Sequence, residues 1–229
     1  MHGLTCTNLE NVAFSPEPDP PNGKPTRRTQ ILAAAAELFA GRGFHGVSID
    51  DIGAAVGISG PALYRHFRSK DAMLGEMLTS ISEFLLSGAQ QTLDANADQA
   101  PDRALAELIR FQVDFALDNP ALITVQERSL GILTEPDRRR VRAMQRRYVE
   151  LWVRTIMSTV PDVSEPAARA AAHAVFGLIN STPHSAYLDR AQMAALLYRM
   201  STAALVSPGS LAEPTELTER VADSLDRHS

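Results

Sequence analysis

The sequence predicts an all-α protein of about nine helices. Apolar residues recur every three or four positions over most of residues 26–206, which is the spacing of one face of a helix. Proline, glycine or capping residues separate these segments, and none shows the alternating pattern of a β-strand. A chain of 229 residues, 45% of them hydrophobic, is long enough to bury a substantial core.

Composition excludes several classes of protein. The single cysteine, Cys6, excludes an internal disulfide and a multi-cysteine metal site. No apolar run approaches the roughly 20 residues needed to span a bilayer, and the first 25 residues lack the pattern of a secretory signal. We therefore expect a cytoplasmic protein that has no membrane partner and uses no metal or cofactor.

Charge is unevenly distributed along the chain. The whole sequence carries a net charge of −5, but residues 24–70 hold seven basic and three acidic side chains, a net +4. The remainder therefore carries −9. Such asymmetry is typical of a basic working surface attached to an acidic body.

Capping residues define the first helices. Residues 1–25 contain five prolines and no periodic apolar face, so we expect a disordered tail. Thr26 is suited to cap a first helix that ends at Gly43. Ser48 is suited to cap a second, with Asp51 in the position of a capping-box acid.

Longer helices follow the third short helix, which begins at Ser59 or Gly60. Ser69 is suited to cap a helix that runs to about Leu93. Further helices are expected at about 102–118, 120–132, 136–160, 164–186 and 189–206. A poorly defined tail with one short helix near 214–226 ends the chain. The predicted divisions are a tail at 1–25, a small helical domain at 26–72, a larger one at 73–206 and a tail at 207–229.

The second and third helices form a predicted helix-turn-helix. They are separated by Gly57, Ile58 and Ser59, and a short glycine-bearing turn of this kind sets one helix across the other. Leu63 and Phe67 are expected to face inward, which leaves a polar face suited to the major groove on residues 60–66. We expect DNA contacts from Thr26, Arg27, Arg28, Ser48, Ser59, Gly60, Pro61, Ala62, Tyr64, Arg65, His66 and Lys70.

The segment from Val47 to Leu74 resembles the DNA-binding domain of the tetracycline-repressor (TetR) family. Two departures, Gly53 and Val56 at positions where the family usually has alanine, are interpreted as tolerable volume changes. The residues that carry the resemblance are Ser48, Ile52, Gly53, Val56, Gly57, Ile58, Ser59, Gly60, Tyr64, His66, Phe67, Ser69, Lys70 and Leu74.

The resemblance implies a homodimeric transcription regulator, most often a repressor, that binds a palindromic operator. A small ligand in the larger domain would move the long fourth helix. The last two long helices would form a four-helix bundle with those of a second subunit, or alternatively pack only within their own chain. Their small-residue stripes place the expected dimer interface at Ala168, Ala172, Val175, Phe176, Ile179, Ala194, Leu197 and Ala204.

The expected effector is a small hydrophobic molecule or an acyl-coenzyme A. The arginine-rich segment from Arg138 to Arg147 would either anchor the phosphates of such a ligand or form a solvated helix face. The candidate ligand-binding residues, several of which would serve equally well in the core, are Phe111, Phe115, Trp152, Phe176, Asn180 and His184.

Two other classes of function stay open at this point. One is an all-α enzyme or small-molecule carrier that uses the helix-turn-helix only for packing, and the other is an adaptor that binds protein through residues 164–206. Common enzyme motifs, including HExxH and a phosphate-binding glycine loop, are absent from the sequence, which favours a regulator over an enzyme.

Overall fold

The computed structural model describes residues 26–184 and 187–206. These residues form nine α-helices and two short 3-10 helices, at 130–132 and 182–184, and contain no strand, which confirms the predicted all-α fold. The predictions for 1–25 and 207–229 lie outside the described residues. The helices are α1 (Arg27–Arg42), α2 (Ile49–Ala55), α3 (Gly60–Leu63), α4 (Lys70–Ala95), α5 (Pro101–Asp118), α6 (Pro120–Ser129), α7 (Glu135–Thr159), α8 (Glu165–Ile179) and α9 (Arg190–Val206).

The caps predicted from the sequence start the early helices. The side-chain oxygen of Thr26 accepts a hydrogen bond from the backbone N–H of Thr29 at the start of α1. Ser69 does the same for α4 through the N–H of Ala72. Gly43 ends α1 with a φ of 73°, a backbone conformation that side chains with a Cβ resist.

Two helices are shorter than predicted. The sequence pattern suggested a helix to about residue 186, but α8 ends at Ile179. Pro183 follows in a 3-10 helix, and proline cannot donate the backbone hydrogen bond that a continuing helix needs. The third helix ends at Leu63 instead of 66, and hydrogen-bonded turns continue it to Phe67.

The larger domain contacts the small N-terminal domain, predicted at residues 26–72 and called the reading head below, at two places. Helix α1 packs against α6, and α4 runs from the head along α7 into the body. Close packing marks the second contact, because a Cβ added to Gly75 of α4 would lie 2.8 Å from a carboxylate oxygen of Asp137 on α7. The two domains therefore share a continuous core, which includes Ile31 of α1, Met77 of α4 and Trp152 of α7.

No helix among the described residues is both long and apolar enough to cross a membrane.

Candidate functional site

The turn between α2 and α3 is built from glycine and a tight backbone hydrogen bond. Gly57 has a φ of 70°, and the N–H of Ile58 donates to the carbonyl of Gly53 over 2.9 Å. Ser59 then caps α3 by accepting from the N–H of Ala62. These contacts place the first turn of α3 directly against α2.

At Gly53 the backbone of the turn comes too close to leave room for a side chain. The interpretation of glycine here as a tolerable volume change is therefore wrong. A Cβ at this residue would lie 2.7 Å from the carbonyl oxygen of Ile58, a backbone atom that cannot rotate away. Real Cβ atoms do not approach so closely, so the turn would have to shift.

Replacing Gly53 with valine is therefore expected to destabilise the head. Overpacking of this kind costs about 2 kcal/mol, which corresponds to a fall in Tm of roughly 4–8 °C for a chain of this size. Ala54→Val is the matched control, because Ala54 lies on the exposed side of the same helix. Thermal unfolding followed by circular dichroism measures both, and equal Tm values for the two variants would contradict this packing argument.

The segment from α3 to α4 has the two unlike faces that the sequence predicts. Leu63 and Phe67 are buried, at 0% and 2% exposure. Tyr64 is 55% exposed, and Arg65 and Pro61 are also exposed. The exposed residues flank one short helical turn, with Pro61 at its start and Tyr64 and Arg65 at its end. They can therefore enter a DNA groove without disturbing the core.

Arg28 is placed differently from the expectation of a freely extending DNA-contacting arm. Its guanidinium forms a bidentate ion pair with Glu76 of α4 and lies 4.0 Å above the ring of Phe67. It also donates to the backbone carbonyl of His66. Arg28 therefore ties α1 to the end of the reading segment and to α4, and three of its five N–H donors are used within the protein.

Arg27 and Thr26 keep only part of their predicted role. The Arg27 side chain is exposed, but one Nη donates to the carbonyl of Val56 over 2.6 Å and the other to Gln30. Thr26 uses its hydroxyl as the α1 cap. Arg27 lies beside the α2–α3 turn through its bond to Val56, and DNA contact through either residue stays a prediction.

Lys70 is also placed differently from the expectation. Its ammonium donates to the carbonyls of Phe44 and Val47, both over 2.7 Å, and lies 4.4 Å from the centre of the Phe44 ring. Two of its three N–H donors are therefore used to hold the α1–α2 loop against the start of α4. This corrects the view of Lys70 as primarily a phosphate ligand, because only one donor is left for DNA.

Ser48 forms the capping box that the sequence predicts. Its hydroxyl accepts from the N–H of Asp51, and both the hydroxyl and the backbone N–H of Ser48 donate to the Asp51 carboxylate. These bonds lower the pKa of Asp51. The cap therefore contributes to stability at neutral pH and loses that contribution as the pH falls through the lowered pKa.

A cavity of about 200 Å³ lies in the larger domain, between α4, α5, α6, α7 and α8. Its apolar walls are Leu85, Val149 and Phe176. Its polar lining comes from Ser82, Gln112, Gln126, Gln145, Tyr148, His173 and Asn180. The lining contains no lysine, arginine, aspartate or glutamate, so the cavity suits a ligand that is uncharged where it is enclosed.

Three of the lining residues form a chain of hydrogen bonds. The Tyr148 hydroxyl donates to Gln112 Oε1 over 2.6 Å, and Gln112 Nε2 donates to Asn180 Oδ1 over 3.3 Å. Burial raises the pKa of Tyr148, so its hydroxyl stays neutral and keeps its proton for Gln112. Because Tyr148 lies on α7, Gln112 on α5 and Asn180 at the C-terminal cap of α8, the cavity wall couples three helices.

The structure brings two of the predicted ligand residues to this cavity. Phe176 and Asn180 line it. The other four lie elsewhere: Phe115 is buried, Phe111 packs against Gly88 and Phe84, His184 is exposed, and Trp152 stands behind the wall with its ring 5.0 Å from that of Phe176. Gln112 and Tyr148 were not identified from the sequence.

Most of the predicted dimer residues lie on the wrong face of their helices. Ala168, Ala172, Val175, Ile179 and Leu197 are 0–2% exposed within the single chain, so they pack inward. This is a correction. Phe176 and Ala194 are half-buried, and Ala204 is exposed.

The same two helices present a second, exposed set of small or apolar residues. We call this set the outer face: Ala170, Ala174, Gly177, Ala195, Met200 and Ala203. On α8 these residues recur at helical spacing, away from the buried stripe. On α9 the exposed Arg199 lies one turn from both Ala195 and Ala203, so the outer face combines small residues with a cation. Exposed small residues on two contacting helices are typical of a helix-bundle interface.

The arginine-rich segment divides into two groups. Arg138 and Arg139 pair with Glu135, and Arg140 pairs with Glu83 of α4. Arg142, Arg146 and Arg147 are exposed and form no ion pair within the described ranges. The first group holds the start of α7 in place, and only the second has guanidinium groups available to a ligand.

Comparison with known proteins matches one family model to the N-terminal part of the chain and another to its C-terminal part. The family model "Bacterial regulatory proteins, tetR family" matches residues 31–77, and "Tetracyclin repressor-like, C-terminal domain" matches 98–184. The HTH-type transcriptional repressor KstR2 of Rhodococcus jostii is 29% identical over 151 residues, which covers 65% of this chain and 72% of that protein. KstR2 of Mycolicibacterium smegmatis is 39% identical over 77 residues, which covers 34% of this chain and only 38% of that protein.

Solved structures share the fold. A TetR-family transcriptional regulator from Bordetella parapertussis is 26% identical, with a TM-score of 0.69 over 77% of this chain and 92% of that one. AibR, solved in complex with isovaleryl coenzyme A and operator DNA, is 18% identical, with a TM-score of 0.58 over 76% and 97% of the two chains. Together with the helix-turn-helix and the helical body, these matches show that the chain belongs to the TetR family of DNA-binding transcription regulators, which are not enzymes.

Proposed function

We propose that this protein is a cytoplasmic, ligand-responsive repressor that binds an imperfectly palindromic operator as a homodimer. The observation that carries the proposal is the exposed Tyr64–Arg65 surface on a helical turn whose Leu63 and Phe67 are fully inside. In such a turn, polar side chains can extend into a DNA groove while the buried side chains anchor the backbone in the core. The KstR2 relatives, which are repressors by name, support the direction of regulation.

The proposed effector is a small hydrophobic molecule or an acyl-coenzyme A. The cavity supports this choice because it combines apolar walls with amide and hydroxyl groups. It also touches α4, the helix whose first residue, Lys70, holds the α1–α2 loop of the head. A ligand that shifts α4 would therefore change the position of the head. AibR, which shares the fold, supports the acyl-coenzyme A alternative.

The proposed homodimer uses the outer face of α8 and α9. The side chain of Ala174 is a single methyl group and Gly177 has none, so a partner helix can approach closely there. Two-fold symmetry would place one reading head at each half-site, and half-site spacing then follows the helical repeat of DNA.

Selection of bound sequences from random DNA, combined with hydrodynamic mass, tests the proposal. We expect an enriched two-fold symmetric sequence and a mass of about 50 kDa, twice the 24.8 kDa of one chain. A mass near that of one chain, or enrichment of no sequence at any salt concentration, would overturn it.

Arg65→Ala is expected to weaken operator binding without affecting stability. Arg65 is exposed, so its loss removes a DNA contact and no packing. A base contact is worth about 1–3 kcal/mol, or roughly 5- to 150-fold in affinity, whereas a phosphate contact lowers the salt slope by about one. Fluorescence anisotropy at several salt concentrations separates these two cases. Arg103→Ala, an exposed change on α5, is the control and should bind normally.

A further inference from the structure

We infer that the cavity binds the short acyl end of a coenzyme A thioester, and that Arg142 and Arg146 bind the coenzyme A phosphates that remain outside the cavity. The inference rests on the proposed function and narrows its effector. It specifies a chain of up to about six carbons, an uncharged carbonyl inside the cavity, and a phosphorylated carrier at its mouth. Gln112, Tyr148 and Asn180 would be the residues that determine specificity.

The size of the cavity limits the acyl chain. A protein cavity of about 150 Å³ accommodates benzene, with six non-hydrogen atoms. A cavity of about 200 Å³ therefore accommodates roughly eight by the same proportion. A hexanoyl thioester group contains six carbons, one oxygen and one sulfur, which matches that limit. A palmitoyl chain would need more than twice the space.

The chemistry of the lining rejects a free carboxylate. No arginine or lysine lines the cavity, so a carboxylate held deep in it, away from the exposed His173, would be buried without a cation. A free acid also lacks the phosphates that Arg142 and Arg146 would hold. A thioester carbonyl carries no charge and needs only a hydrogen-bond donor. The same acyl chain is therefore expected to bind as a thioester and not as an acid.

The hydrogen-bond chain leaves a donor for that carbonyl. Gln112 accepts from Tyr148 and donates to the side-chain oxygen of Asn180, so both amide oxygens are already engaged. The amide N–H groups of Asn180 are not used in this chain of bonds. A ligand acceptor placed beside Asn180 can therefore receive one of these N–H groups and extend the series.

Cations stand beside the cavity on the helix that forms one of its walls. Gln145 and Val149 line the cavity, and Arg142 and Arg146 each precede one of them by three residues. Residues three apart are neighbours on a helix surface. Both arginines are exposed and have no ion pair within the described ranges. Arginine binds phosphate in a bidentate manner, so this edge of α7 suits the phosphates of coenzyme A.

A thermal-shift series with the full chain tests the size and charge limits. The probes are butyryl-, hexanoyl- and palmitoyl-coenzyme A, coenzyme A alone, and sodium hexanoate. A ligand at 100 times its dissociation constant is expected to raise the Tm by about 5–10 °C. We expect that shift with the two short thioesters and little shift with the other three probes. Hexanoate or palmitoyl-coenzyme A matching hexanoyl-coenzyme A would overturn the inference.

Matched arginine variants test the phosphate contacts. Arg142→Ala should weaken binding of hexanoyl-coenzyme A at least fivefold, while Arg147→Ala should leave it unchanged. Both arginines are exposed on α7 without an ion pair among the described residues, but only Arg142 neighbours the cavity-lining side. Equal effects of the two changes would remove the arginines from the inference.

Two further variants test the cavity itself. Val149→Phe fills it from a half-buried position, and Tyr148→Phe removes one hydroxyl from the chain of bonds. Val149→Phe should lose the Tm shift with hexanoyl-coenzyme A and Tyr148→Phe should reduce it, while operator binding persists. If the unmodified protein selects a palindromic operator but no short thioester shifts its Tm, this inference fails and the proposed function stands. If no DNA is selected, the proposed function fails first.

Discussion

Replacing Lys70 with methionine is expected to lower the stability of the helix-turn-helix domain by about 3 kcal/mol, since two charge-assisted hydrogen bonds are lost at once. The ammonium holds the carbonyls of Phe44 and Val47, and both residues lie in the loop between α1 and α2. Methionine keeps most of the length of the side chain, so packing changes little. The carbonyls of Phe44 and Val47 would lose the ammonium that joins them across the loop.

Thermal unfolding combined with DNA binding measures this effect and separates it from a phosphate contact. We expect the Tm to fall by roughly 6–12 °C. Arg68→Met is the control, because Arg68 is an exposed cation two residues earlier in the chain. If Lys70→Met instead kept its Tm and only reduced the affinity and salt slope of DNA binding, the original phosphate assignment would be correct.

The structure of the head was largely predictable because its signals are local. A cap such as Ser48 and its partner Asp51 are three residues apart, and the conformation of Gly57 depends on its own backbone. The inward direction of Leu63 and Phe67 follows from a spacing of four residues. Such features need no knowledge of the rest of the chain.

The roles of Arg28 and Lys70 were not predictable for the opposite reason. Glu76 is 48 residues from Arg28 in sequence, and Phe44 is 26 residues from Lys70. A long cationic side chain can turn toward solvent or toward the protein, and composition does not distinguish these directions. The sequence therefore predicts that more of the basic side chains in residues 24–70 are available to DNA than the structure shows.

Gln112 shows what signal could have revealed the cavity. It lies on the apolar side of α5, in register with Leu108, Ile109 and Phe115, and a polar residue on a buried face needs a partner. That pattern indicates a buried polar contact but does not identify the partner. Tyr148 is 36 residues away on α7, and only the packing of the two helices brings them together.

The faces of α8 and α9 could not be assigned from sequence because both sides of these helices are rich in small residues. Ala172 is fully buried and Ala174, two residues later, is exposed. Alanine has the same hydropathy in either place, so periodicity gives no direction. The body of the protein decides which stripe packs inward, and the other stripe is left for a partner.

Ala174→Glu is expected to dissociate the proposed dimer and to have the largest effect on function. The side chain is exposed in the single chain, so a carboxylate is tolerated there in a monomer. In a two-fold interface the same carboxylate would be buried without a cation and would lie near its own copy. A monomer can occupy only one half-site, so operator affinity should fall by roughly a thousandfold, toward the non-specific level.

Two companion variants make this experiment decisive. Ala97→Glu places the same charge on the exposed connection between α4 and α5 and should leave both mass and affinity unchanged. Ala172→Glu buries the charge inside the single chain and should prevent folding altogether. Light scattering would then report about 25 kDa for Ala174→Glu with normal helical content. A folded Ala174→Glu protein that keeps a mass of about 50 kDa would show that a different surface forms the dimer.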